Sequence, residues 1–162
     1  MPGKPKVYVE TTVISYLTAW PSAEIVTAAH QQITQEWWSS RRDEFDVYVS
    51  ELVREEAAAG DREAAQQRLE IIDSLPLLTF SGDARRLVNI LVHELQLPNR
   101  ASADAAHIAL AITNGMDYLI TWNCRHIANA RLRNMIDRVC RSVGYAAPAI
   151  CTPEELMEDL GT

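Results

Sequence analysis

Five short runs of β-type residues, each followed by a helical stretch, leave this chain few folds to choose from. They fall at about 6–10, 45–49, 75–80, 118–121 and 149–151. Strands separated by helices pair in parallel through crossovers, and a parallel sheet needs both faces covered. The expected architecture is therefore α/β, a three-layer α/β/α sandwich around a sheet of about five strands, all in one domain spanning 1–162. Parallel strands share one carboxyl edge, and in open α/β sheets ligands collect in the crevice outside that edge.

Capping residues mark where the helices begin. Pro21-Ser22 predicts a helix running to about 40, with Ile25, Ala29, Ile33 and Trp37 as its apolar stripe. Ser50 opens a short helix carrying Glu51, Glu55 and Glu56, which Gly60 ends. Asp61 caps 62–73, with Leu69 and Ile72 inward, and Ser81 begins a helix with Leu87, Ile90, Leu91 and Leu95 on one face. Pro76 lacks a donor, which puts the third strand at an edge. Ser102 is read as the cap of 103–113, a helix apolar almost all round and therefore buried. A helix over 127–142 follows the fourth strand, and Thr152-Pro153-Glu154-Glu155 is a capping box opening the last one. Trp37 and Trp38 cannot both face one core, so one is expected on a neighbouring helix or a partner subunit.

Composition narrows the function classes. Apolar residues are 48% and charged residues 23% of 162, as in a soluble globular protein. The apolar runs are too short to span a bilayer and no signal-peptide core follows the N-terminus, which reads as a cytoplasmic protein. Cys124, Cys140 and Cys151 show no paired spacing, so neither a disulfide framework nor a zinc site is indicated. A net charge of −7 argues against indiscriminate nucleic-acid binding but suits a cluster of acids holding a cation.

Such a cluster is expected at the carboxyl edge. Glu10 ends the first strand, as either a helix cap or a site residue; the Glu51–Glu56 helix follows the second, and Asn123 follows the fourth. Asp104, in the first turn of the buried helix, points at the same edge. Converging carboxylates repel unless a cation sits among them, and hard oxygen donors suit Mg²⁺ or Mn²⁺. His126 is the histidine best placed to meet a substrate, and His107 reads as a packed histidine inside an apolar helix.

Four blocks together resemble the motifs of PIN-domain proteins, and of VapC-type toxins within them: Tyr8-Val9-Glu10-Thr11-Thr12-Val13-Ile14, Val49-Ser50-Glu51-Leu52-Val53-Arg54-Glu55-Glu56, Ala103-Asp104-Ala105-Ala106-His107-Ile108-Ala109 and Leu119-Ile120-Thr121-Trp122-Asn123. The resemblance implies a Rossmann-like sandwich, a Mg²⁺- or Mn²⁺-dependent endoribonuclease, a homodimer and an antitoxin partner. It carries metal-holding and catalytic roles onto Glu10, Glu56, Asp104 and Asn123, with Glu51 and Glu55 as the fallback for Glu56. Thr11, Thr12 and Thr121 resemble the family's hydroxyl positions that hold acids or a metal-bound water, and Thr11 and Thr121 are expected to meet substrate. Apart from the resemblance, Arg125, His126, Arg131 and Arg133 after Asn123, and Arg100 before Asp104, are candidate cations for substrate phosphates. Glu10 stands where the family usually has aspartate, and Asn123 where it usually has an acid. Asn123 is accordingly a missing ligand, an RNA contact, or a hydrogen-bond partner of Glu10. The competing reading is a catalytically inactive PIN-like module that binds RNA or protein. A haloacid-dehalogenase-like phosphatase shares the first-strand acid but needs an aspartate where Thr12 stands.

Overall fold

The computed structural model of the protein describes residues 3–157. Its strands are β1 (Lys6–Val9), β2 (Asp46–Ser50), β3 (Leu77–Leu78), β4 (Tyr118–Ile120) and β5 (Ala149–Cys151). Its helices are α1 (Thr11–Thr18), α2 (Ile25–Ser40), α3 (Glu51–Ala57), α4 (Arg62–Ile72), α5 (Gly82–Glu94), α6 (Ser102–Thr113) and α7 (Ala130–Val143). Every strand pairing is parallel, in the order β3-β2-β1-β4-β5. The chain winds outward from β1 to β3, recrosses the sheet through α5 and α6, and winds the other way through β4 and β5. Right-handed crossovers then place the two helix sets on opposite faces. In keeping with this, α1 packs on α2, α3 and α4, whereas α5 packs on α6 and α7. This is the expected α/β/α sandwich, with β3 at an edge as Pro76 requires.

The core lies between these layers. Val7, Tyr8 and Val9 of β1 are fully buried, as a central parallel strand should be. All of Ala105, His107, Ile108, Ala109, Leu110, Ala111 and Ile112 in α6 are buried, in line with its all-round apolar sequence. Ser50, Asp61 and Ser81 each accept a backbone N–H at the start of α3, α4 and α5. Thr152 and Glu155 form the capping box, which opens a 3₁₀ turn, Pro153–Leu156; the helix expected beyond it lies outside the described residues.

Several local readings need correction. Only the second half of the stripe assigned to α2 faces inward: Trp37 is buried and Ile33 partly so, whereas Ile25 is 85% exposed and Ala29 is exposed, and Gln31 and Thr34 are buried beside Trp37. Those polar side chains are buried because they are bonded. Gln31 accepts from Ser22 N and donates to Trp20 O, and Thr34 Oγ1 takes the Trp122 indole N–H at 2.7 Å. Ser22 caps no helix; α2 begins three residues later. On α5, Ala84, Leu87 and Leu91 are buried while Ile90 faces out. Ser102 lies inside α6 and donates to Asn99 O, closing the turn that precedes it. The stretch after β4 does not turn helical until residue 130, because Asn123 and Asn129 take up the intervening backbone groups. Trp37 is fully buried, and Trp38 is half-buried beneath the Arg42 guanidinium.

Candidate active site

The sheet order reverses between β1 and β4, and Glu10 lies at that point. Its backbone N–H still donates to Ile120 O, so it is the last residue held by the sheet before α1 begins. Only 4% exposed, its carboxylate receives every protein hydrogen bond on one oxygen. Glu10 Oε1 accepts from the Thr12 hydroxyl at 2.5 Å, the Thr121 hydroxyl at 2.6 Å and the Thr12 N–H at 3.2 Å. Thr12 Oγ1 in turn accepts from Trp122 N, and Thr121 Oγ1 from Asn123 N. Glu10 is thus both the N-cap of α1 and the seam between two strand ends. Among the described residues, no protein donor reaches its other oxygen.

Glu56 repeats the pattern from α3. Its Oε1 accepts from the Thr11 hydroxyl at 2.5 Å and from His107 Nε2 at 2.7 Å, and its Oε2 takes no protein hydrogen bond among the described residues. Burial pushes this carboxyl up, but its interaction with His107 and the Thr11 hydroxyl outweighs that, and the group sits below the ordinary carboxylate range. Glu51 and Glu55 face elsewhere, lining a cavity of about 280 Å³ with Ser50, Leu78 and Phe80.

Behind Glu56 runs a buried chain of hydrogen bonds. His107 Nδ1 meets Tyr8 Oη at 2.8 Å, and Tyr8 Oη meets Ser50 Oγ at 2.7 Å. Burial, with help from the Glu10 and Glu56 charges and against the Ser50 hydrogen bond, raises the Tyr8 phenol far above its usual value, so it stays protonated. With Glu56 ionised, His107 Nε2–H donates to it, Tyr8 O–H donates to the bare Nδ1, and Ser50 O–H donates to Tyr8. Every proton then has an acceptor.

Asp104 belongs to a second group. Its Oδ1 accepts from Asn123 Nδ2 and its Oδ2 meets His126 Nδ1, both at 3.0 Å. Asn123 Oδ1 accepts the N–H groups of Arg125 and His126. Asn123 therefore bonds Asp104 and its own loop, and does not reach Glu10. Glu10, Glu56 and His107 each offer a ligand atom within 4.8 Å of the others, a triangle that does not include Asp104.

No protein-family model matches the sequence, and no curated protein matches it. Among solved structures, the chain is similar to one in the crystal structure of VapBC2 from Rickettsia felis bound to a DNA fragment from their promoter. The TM-score is 0.54 at 16% identity, over 80% of this chain and 92% of that one. The fold is PIN-like.

Within this PIN-like fold the expected site residues sort by their bonding. Glu10 and Glu56 meet at the strand ends, each held by threonine hydroxyls: Thr12 and Thr121 for the first, Thr11 for the second. Asp104, Asn123 and His126 bond one another beside them, and Arg125 is exposed at the rim. His107 and Tyr8 were missed as site residues. One signal was available: a histidine inside an all-apolar buried helix must find a polar partner, and the partner nearest such a helix is a site acid.

Proposed function

We propose that the chain is a metal-dependent endoribonuclease, the toxin of a toxin–antitoxin pair, built as one PIN-like domain over 1–162. The observation that carries this reading is the pair Glu10 and Glu56, each pinned through one carboxylate oxygen with the other left open. Two carboxylates with ligand atoms within 4.8 Å fit a hard divalent ion such as Mg²⁺ or Mn²⁺, which also relieves their mutual repulsion. Bound there, the ion would polarise a phosphoryl oxygen and lower the pKa of a coordinated water. Asp104 stands outside the triangle of Glu10, Glu56 and His107, though each of its oxygens carries one hydrogen bond and keeps a lone pair. Held as it is, it orients His126, whose second ring nitrogen takes no protein hydrogen bond among the described residues and would exchange a proton with a phosphate or leaving oxygen. Arg125 supplies positive charge for the substrate phosphates. Thr11 and Thr121 act through the acids they bond.

The toxin assignment and the antitoxin partner extend the VapC-like fold to this chain. No helix among the described residues is long and apolar enough to cross a membrane, and we place the protein in the cytoplasm. A homodimer is part of the same proposal. The Trp37–Trp38 pair no longer supports it, since neither ring is free, but Trp20, Ile25 and Val26 are exposed. The second reading, a non-catalytic PIN-like module, draws on Asn123, whose amide has no group to spare for a metal.

The test is cleavage of RNA with Mn²⁺, with Mg²⁺ and with EDTA. Metal-dependent cleavage is expected, abolished by EDTA, by Glu10→Gln and by Asp104→Asn in variants that remain folded. Cleavage unaffected by EDTA, or retained in both variants, overturns the assignment. Metal binding by calorimetry with intact RNA throughout favours the non-catalytic module.

A further inference from the structure

His107 is the member of the acid triangle that two carboxylates and a divalent ion leave without a role. Its ring is fully buried, yet Nε2 emerges beside Glu56 Oε1 at 2.7 Å, within ligand reach of Glu10 as well. We propose that His107 Nε2 is a third ligand of the ion held by Glu10 and Glu56, which makes the site selective for Mn²⁺ and similar transition ions over Mg²⁺. This rests on the metal reading above and names the class of ion that the site takes.

The support lies behind the ring. A metal-bound histidine is oriented by a hydrogen bond from its other ring nitrogen. Tyr8 Oη already stands 2.8 Å from His107 Nδ1, and it is fixed in turn by Ser50 Oγ at 2.7 Å. A hydroxyl accepts as readily as it donates. When the ion takes Nε2, that nitrogen gives its proton to solvent water and Nδ1 takes one up from solvent, so the ring changes tautomer with no net change in protons and Nδ1–H now donates to Tyr8. Tyr8 then donates to Ser50 Oγ, which also receives Val53 N–H. The ring carries one proton in both arrangements, and both use the same three side chains; the Ser50 O–H, no longer bonded to Tyr8, turns toward the cavity that Ser50 lines. Glu56 loses its His107 partner but keeps Thr11. The resulting donor set is two carboxylates and one imidazole. Imidazole suits Zn²⁺ and Fe²⁺ best; Mn²⁺ shares the oxygen ligands of Mg²⁺ but belongs to the first-row series that also takes nitrogen donors, whereas Mg²⁺ keeps to oxygen ligands and its own waters.

The experiment is pulsed electron paramagnetic resonance on the full chain loaded with Mn²⁺ alone, with calorimetric titrations of Mn²⁺ and Mg²⁺. Nitrogen hyperfine coupling from a directly bound imidazole is expected, changed by ¹⁵N-histidine labelling, kept in His126→Gln and lost in His107→Gln. His107→Gln should weaken Mn²⁺ by tenfold or more and Mg²⁺ by less than threefold. Because His107 is wholly buried, that variant can fail to fold. The wild-type chain then decides alone: ¹⁵N-histidine spectra with Zn²⁺ should show one buried ring moving its proton from Nε2 to Nδ1. Mn²⁺ bound through Glu10 with no nitrogen coupling, or no tautomer change with Zn²⁺, overturns the proposal and leaves the metal site standing. No ion bound at all overturns both.

Discussion

Asn123 bonds protein through both amide atoms: Nδ2 to Asp104 and Oδ1 to two backbone N–H groups. That explains a neutral residue where the family usually has an acid. An aspartate there would set two carboxylates where a 3.0 Å hydrogen bond now lies. Asn123→Asp should therefore lower cleavage at every Mn²⁺ concentration and cost about 1–3 kcal/mol at neutral pH. The repulsion would raise one carboxyl of the pair, so the cost should fade on acidification; urea melts at neutral and mildly acidic pH measure it. A gain in Mn²⁺ affinity instead would restore the missing-ligand reading. Glu56 makes a second prediction. Its carboxyl is held low in the folded chain, so its stabilisation is complete above the unfolded carboxyl value and is lost as pH falls through the folded one. Below about pH 4.3, where an unfolded glutamate gains its proton, the wild type should lose stability more steeply than Glu56→Gln. Parallel urea midpoints down that limb would reject the His107–Glu56 pairing.

At the scale of the element, two serine caps that look alike in sequence differ in the fold. Ser81 accepts from Ala84 N and is otherwise a plain cap of α5. Ser50 accepts from Val53 N at the start of α3 and also anchors Tyr8, hence His107 and Glu56. Ser81→Ala should cost about 1 kcal/mol with cleavage unchanged. Ser50→Ala should cost more, about 2–3 kcal/mol, because a buried phenol loses its partner too, and it should weaken Mn²⁺ binding. Denaturation and calorimetry on both separate a cap from a cap that also positions a site. In α6, Ile108→Ala removes a fully buried side chain and should cost about 2–5 kcal/mol. Such a loss matters to the site, because α6 carries both Asp104 and His107.

For the whole molecule, the open question of surface chemistry is assembly. Trp20 is 91% exposed, and Ile25 and Val26, the first two residues of α2, are exposed as well. A second copy is the proposed cover. Light scattering at micromolar concentration should give a mass about twice 18.2 kDa. Replacing Trp20, Ile25 and Val26 together by serine should return it to the monomer value. A wild-type monomer rejects the dimer. The cysteines should not interfere: burial pushes the Cys140 thiol up to about 11 and Cys151 up to about 12, which leaves only Cys124 exposed for oxidation.

Much of the fold is local chemistry and so was legible in the chain. Strand runs alternating with helices made the sheet parallel, Pro76 put β3 at an edge, and Ser50, Asp61 and Ser81 marked helix starts. A parallel sheet then assigned Glu10, the α3 acids, Asp104 and Asn123 to one edge without any contact being known. The α2 stripe misled because four-residue recurrence of apolar residues says nothing about Gln31 and Thr34, which are buried through bonds to distant groups. The arrangement of the site was decided by tertiary structure alone. The strand order sets β1 beside β4, so Glu10 meets Thr121; the turn between β1 and α1 aims Thr11 at Glu56 rather than leaving Glu51 or Glu55 equivalent to it; and the crossing of α6 over β1 brings His107 to Tyr8. Each of these bonds joins residues far apart in sequence, and its direction depends on register and on which carboxylate oxygen is already engaged. Residue spacing encodes faces and ends; it does not encode the partner that a side chain finds across a crossover.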